Sequence, residues 1–143
     1  MIKDIRHTGI VVIDLESSLR FYRDLLGFKI AKQMEESGDY IDNILSLRNV
    51  MVTTVKMISP SGQMIELLKY HSHPAEQRKR EVCEIGVSHI AFTVDDLDTE
   101  HKRLQNDGIQ FNSLPQLSPD GYAKVAFCRA PEGTLIELVE VLS

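Results

Sequence analysis

Tryptophan is absent from the 143 residues, and cysteine occurs only twice, at Cys83 and Cys128. Two thiols cannot build a disulfide framework, nor a cysteine zinc site on their own. No apolar run approaches the ~18 residues needed to cross a bilayer. Met1 to His7 alternates charged and apolar residues and lacks the apolar core of a signal peptide. Excess positive charge is missing too, since 16 Lys and Arg face 21 Asp and Glu for a net charge of −5. That balance argues against a general nucleic-acid or anionic-membrane binder, whose affinity rests on a basic surface. What is present is an ordinary globular mix, 43% hydrophobic and 26% charged, which excludes wholesale disorder. The expectation is about one domain's length of soluble, acidic, reduced cytoplasmic protein.

The chain repeats itself. Pro60-Ser-Gly-Gln-Met-Ile-Glu66-Leu-Leu and Pro131-Glu-Gly-Thr-Leu-Ile-Glu137-Leu-Val align without a gap at an offset of 71 residues. Earlier in each half stand His7-Thr-Gly-Ile-Val-Val-Ile-Asp14-Leu and His89-Ile-Ala-Phe-Thr-Val-Asp-Asp96-Leu, at an offset of 82. Two similar modules, 1–70 and 86–143, are therefore joined by a charged connector, 71–85.

Each module has the same coarse anatomy. Ile5 to Ile13 and Val87 to Val94 are rich in β-branched residues and predict strands. Asp14 and Asp96 are placed to cap helices, the first with an apolar stripe at Leu15, Leu19, Tyr22 and Leu26. Gly27 and Gly108 suit helix ends, and strands follow at 28–32 and 109–111. Further strands are predicted at 51–58, 63–70, 124–128 and 134–141, with turns at 59–62 and 130–133. The order is βαβββ, twice, an α+β architecture. Residues 39–47 predict a short inserted helix, and 71–84 an exposed connector, part helical.

Strand alternation then sorts the side chains. Ile10 and Val12, like Ile90 and Phe92, suit a helix-covered face, which sends His7 and His89 to the opposite face beside Gly9 and Ala91. On the closing strands Ile65 and Leu67, like Ile136 and Leu138, suit the helix side, leaving Glu66 and Glu137 with the histidines. A carboxylate between apolar neighbours has to be paired, protonated or bound to a metal. If the modules pack with approximate two-fold symmetry, His7, Glu66, His89 and Glu137 converge on one point. Two imidazoles and two carboxylates suit a divalent ion such as Zn, Ni, Co, Mn or Fe.

With these motifs in hand, the sequence resembles the vicinal oxygen chelate superfamily across nearly its whole length. Residues 7–28 look like that family's module-opening signature, Gly86-Val-Ser-His-Ile-Ala-Phe-Thr-Val-Asp-Asp-Leu opens the second module similarly, and Pro-Glu-Gly-Thr-Leu-Ile-Glu-Leu closes it. The resemblance implies paired curved mixed sheets around a metal-lined cleft, and a homodimer. The family includes lactoylglutathione lyases (glyoxalase I), methylmalonyl-CoA epimerases, extradiol dioxygenases, thiol transferases that inactivate fosfomycin, and metal-free bleomycin-binding proteins.

The His, Glu, His, Glu order at 7, 66, 89 and 137 is most similar to bacterial glyoxalase I. It implies one divalent ion per site and proton transfer next to a carbonyl of a small thiol-linked substrate, through a metal-stabilised enediolate. Glu137 is implied as the base, with Glu66 facing the opposite side. An extradiol-type Fe(II) dioxygenase and a small-molecule binding protein are the alternatives. Substrate contacts stay unassigned: Tyr122 and Lys124, in or beside a polar 112–122 stretch, are equally suited to a solvated hairpin connection. Arg48, Lys56 and Arg129 are able to bind a carboxylate or phosphate, but scattered basic residues suit solvated surface, and none is singled out. His71 and His73 suit the exposed connector, and His101 the exposed side of the second helix.

Overall fold

The computed structural model describes residues 1–143. It divides into two compact units, Met1–Gln77 and Arg78–Ser143.

In the first unit β1 (Thr8–Val11) leads into α1 (Leu15–Leu19), a π-helical turn at Arg20–Leu25, β2 (Lys29–Ser37), α2 (Asp39–Leu45), β3 (Met51–Ile58) and β4 (Met64–Tyr70). The second holds β5 (Ile90–Thr93), α3 (Leu97–Asn106), β6 (Gln116–Leu117), β7 (Ala123–Arg129) and β8 (Leu135–Val141). The sheets have the same topology, β1-β4-β3-β2 and β5-β8-β7-β6. In each, the first strand runs parallel to the last and the other pairs are antiparallel. This is the α+β arrangement of two βαβββ modules that the repeat predicts. No helix is long and apolar enough to cross a membrane.

Local chemistry explains the repeat. Asp14 accepts hydrogen bonds from the Ser17 backbone N–H at 3.3 Å and from its hydroxyl at 2.8 Å. Asp96 accepts from Thr99 in the same way at 3.0 and 2.7 Å, so both helices start on a carboxylate cap. Gly27, at φ 83°, takes the left-handed conformation that lets the chain turn out of the first helix into β2. The closing hairpins are matched as well: Ser59 N donates to Gln63 O at 2.8 Å and Ala130 N to Thr134 O at 2.9 Å. Alternation then buries one face of each sheet. Ile10, Val55, Met57, Ile65 and Leu67 lie in the first core with Leu19, Phe21 and Tyr22. Ala126, Cys128, Ile136 and Leu138 lie in the second with Leu97 and Leu104.

The structure departs from expectation in six places. The opening strands are shorter than 5–13 and 87–94, starting at Thr8 and Ile90, so His7 and His89 stand just before them. The first helix is not uniformly α: it widens into the π turn, and Phe21 is buried beside Tyr22, their rings edge to face at 4.9 Å. The strand at 28–32 runs on to Ser37, because β3 is long enough to pair with all of it. Residues 109–111 do not form a strand; Phe111 makes one isolated bridge to Cys128, and the edge strand is the two-residue β6 further on. The connector contains no helix. It is pinned instead by polar contacts, with Arg80 donating to Val87 O at 3.2 Å and Arg129 to Arg80 O at 2.8 Å. His101 is buried, 2% exposed, its ring 4.2 Å from that of Phe111 and its Nε2 3.2 Å from Ser113 O. The loop after α3 covers the side of the helix that sequence alone leaves open.

The inserted helix α2 forms as expected. Ile41 and Leu45 pack on Val50, Val52, Leu68 and Tyr70. Val52 and Leu68 share the face of Glu66 by alternation, so α2 covers the far end of that face within the first unit.

Candidate functional site

Sheet register brings the predicted donors together in pairs. Gly9 on β1 lies opposite Glu66 on β4, and Ala91 on β5 lies opposite Glu137 on β8. Each histidine precedes its small residue by two positions, so it shares that residue's face and stands at the strand entrance beside the carboxylate. A Cβ added to Gly9 would meet only Leu68 Cδ1, at 3.4 Å, so the position tolerates the alanine its counterpart carries. The small residues thus keep the space beside each imidazole open.

The two pairs differ in detail. His89 Nε2 lies 2.9 Å from Glu137 Oε2, and its Nδ1 lies 3.1 Å from the Ser88 hydroxyl. The Phe127 ring meets the imidazole edge to face, 5.1 Å between centroids. His7 Nε2 is 4.0 Å from Glu66 Oε1, and its Nδ1 is buried without a hydrogen-bond partner. Where Phe127 stands opposite Glu137, Lys56 stands opposite Glu66, its Nζ 3.8 Å from Oε2.

These donors fit a divalent ion. With metal–ligand bonds of roughly 2.0–2.2 Å, donors on neighbouring octahedral positions stand about 3 Å apart. His89 and Glu137 already have that separation, and the Ser88 contact orients the ring as a second hydrogen-bond partner orients a ligating imidazole. The partnerless Nδ1 of His7 marks a ring that no internal hydrogen bond claims. No group of three His, Cys, Asp or Glu side chains is gathered closely enough to hold an ion, so the candidate ligands stand as two pairs, one in each unit.

Other polar groups are committed elsewhere. The Lys124 ammonium lies 2.6 Å from Asp98 and 3.7 Å from Glu140, an ion-pair network on the second unit. Tyr122 is exposed. His71 Nε2 lies 2.7 Å from the buried Thr53 hydroxyl, whose own proton goes to Glu35 at 2.7 Å, so His71 is the donor in a short chain. His73 bonds the Ser72 hydroxyl at 2.7 Å. Burial pushes the Cys128 thiol up to about 12, which removes it as a nucleophile, and Cys83 is exposed. Sequence reasoning placed Lys56 on solvated surface and did not weigh Phe127, and so missed both as neighbours of the glutamates. Their signal was available, because they occupy equivalent places at the same 71-residue offset as the two glutamates.

Residues 4–138 match the family described as the Glyoxalase/Bleomycin resistance protein/Dioxygenase superfamily. The chain is 31% identical over 143 residues to the uncharacterized protein YwkD of Bacillus subtilis, covering 98% of each. It is 27% identical over 143 residues to the lactoylglutathione lyase of Schizosaccharomyces pombe, covering 94% of this chain and 46% of that one. The crystal structure of a glyoxalase family protein from Bacillus cereus superposes with a TM-score of 0.90 at 24% identity, covering 100% of this chain and 97% of that one. That likeness shows the fold.

Proposed function

This chain belongs to the glyoxalase/bleomycin resistance protein/dioxygenase superfamily, and on that premise we propose that it is a divalent-metal-dependent lyase or isomerase. The reaction is proton transfer next to the carbonyl of a small thiol-linked substrate, a glutathione hemithioacetal or a CoA thioester. The observation that carries this reading is the duplication of one His–Glu pair at the same register position of both sheets. The repeat alone would duplicate any pair, but a four-donor centre requires that both copies keep the imidazole and the carboxylate, as they do here.

In this reading His7, Glu66, His89 and Glu137 hold the ion, one pair from each unit, contributed by a single chain or by two. When bound, a divalent ion supplies Lewis acidity, drawing charge from the substrate oxygen and easing loss of the neighbouring proton. Glu137 takes that proton and returns it. With His89 Nε2 given to the ion, the Glu137 side chain, which keeps 21% of its surface open, stands beside the site and is reachable by substrate. Glu66, 13% open and shared between His7 and Lys56, is the more tightly held carboxylate and remains a ligand facing the other side. A lactoylglutathione lyase among the relatives supports the choice of thiol-linked substrate. The proposal includes a homodimer, supported by the exposed apolar side chains of Ile5, Ile85 and Val87.

The test is metal analysis of the protein purified without chelator, followed by turnover of methylglyoxal with glutathione and deuterium exchange into a CoA thioester. About one divalent ion per site, with either activity, is the expected result. Glu137→Gln should keep the fold and lose turnover. Near-normal turnover in that variant places the base elsewhere. Oxygen uptake with a catechol and ferrous iron would make the chain a dioxygenase, and a metal-free protein that binds ligands without turnover would make it a binding protein.

A further inference from the structure

We propose that Lys32 and Lys56 form an anion-holding subsite on the open face of the first unit, so that the substrate is a small carbonyl compound carrying a carboxylate or phosphate group. The inference rests on the metal-enzyme reading above and narrows the carbonyl fragment of its substrate, since glutathione and CoA carry carboxylates or phosphates of their own. Register places Gly9, Glu66, Lys56 and Lys32 in one row across β1, β4, β3 and β2. Lys32 is exposed and follows an irregularity in the β2–β3 pairing, but it is paired with Lys56 and so shares its face; with Cβ atoms of such a pair about 4.5–5.5 Å apart, both flexible side chains can extend to one bound anion.

Two like charges facing each other across a strand pair are destabilising unless something compensates. Here one carboxylate does so incompletely. Glu66 lies 3.8 Å from Lys56 and is shared with His7, while Lys32 forms no ion pair. The row therefore carries two ammonium groups for one carboxylate that is itself a proposed ligand. The imbalance is local to this unit, since Phe127 takes the place of Lys56 in the other. The packing of α2 over Val52, Leu68 and Tyr70 places an apolar wall on the same face, and Lys56 is only 31% open. Partial exclusion of water strengthens attraction to an anion. Lysine, a flexible point charge with three donors, suits either a carboxylate or a phosphate.

The test is a ¹⁵N–¹H NMR titration of the full chain, as purified, with inorganic phosphate and separately with malonate at low ionic strength. Wild type, Lys32→Met, Lys56→Met and Lys56→Arg are compared with Lys102→Met, a control at an exposed position on α3. The expected result is saturable shifts at residues 32–33 and 54–57. Affinity should fall about tenfold in each β-sheet methionine variant and persist in Lys56→Arg and Lys102→Met. Response to phosphate alone assigns a phosphorylated substrate, and response to malonate a carboxylate. Shifts that fail to saturate with both probes, or that are equal in all the proteins, overturn the subsite. Metal content and proton exchange are measured separately on the same preparation. Their persistence in that case leaves the enzyme reading standing without this refinement.

Discussion

The Phe127 ring meets the His89 imidazole edge to face at 5.1 Å, on the side chain's approach to Glu137. That contact limits rotation of the ring whose Nε2 faces the carboxylate. Phe127→Ala removes it while leaving both donors in place. Because groups that orient a ligating imidazole typically govern 10–100-fold in metal affinity, the variant should bind zinc about tenfold or more weakly. Competition against a chromogenic chelator measures this. Unchanged affinity would show that Ser88 alone fixes the ring.

The two thiols should separate cleanly. Cys83 is exposed, whereas Cys128 is buried and its thiol is raised from the ordinary 9.0 to about 12 by loss of hydration. A chromogenic disulfide reagent at pH 8 should titrate one thiol in the native protein and both after denaturation. Because the folded value lies above the unfolded one, the stability tied to keeping Cys128 neutral is complete below pH 9. It declines as pH rises from there toward 12, which alkaline denaturant titrations can follow.

His101 is a packing residue. It lies against Phe111 and bonds Ser113 O at 3.2 Å, which ties the loop after α3 to the helix. Replacing it with alanine leaves a cavity and an unpaired carbonyl, at a cost of about 2–4 kcal/mol in unfolding free energy. Metal content should not change. Chemical denaturation of His101→Ala beside wild type tests both halves of the statement.

Acid should act through the helix caps. The side-chain hydroxyl and then the backbone N–H of Ser17 hold the Asp14 carboxyl below its ordinary 3.8. The backbone N–H and then the hydroxyl of Thr99 do the same for Asp96. A lowered folded value means that this stabilisation is present above the unfolded value and is lost as pH falls through the folded one. Between pH 5 and pH 2 the thermal midpoint should therefore drop less steeply in Asp14→Asn/Asp96→Asn than in wild type. Parallel curves would show that the caps do not carry the acid response.

The duplicated motifs made most of the fold legible. A strand that follows directly on a histidine, a capped helix, and a Pro-x-Gly turn before an apolar strand with one glutamate recur in order, and register follows from alternation. What was not legible depended on which loop lies over which surface. The burial of His101 comes from Phe111 and Ser113 folding back over α3, and helical periodicity carries no record of that cover. The π turn escaped because Phe21 and Tyr22 are both apolar, so a regular helix accounts for one and leaves the other unexplained. In the candidate site Glu66 and Glu137 stood out because each breaks an apolar run at a repeated position, and His7 and His89 because each opens a repeated segment. The neighbours of Lys56 were not legible, because a lysine in a strand suits solvated surface until pairing sets it beside Glu66 and Lys32.

The parallel pairing of first and last strands has a consequence for how the protein is made. His7 emerges from the ribosome long before Glu66, and His89 long before Glu137, and each couple meets only after its final strand docks beside its first. Such late, distant closure is the slow part of folding. A nascent chain stalled before either closing strand would therefore carry helices and hairpins, with that half's histidine still apart from its glutamate.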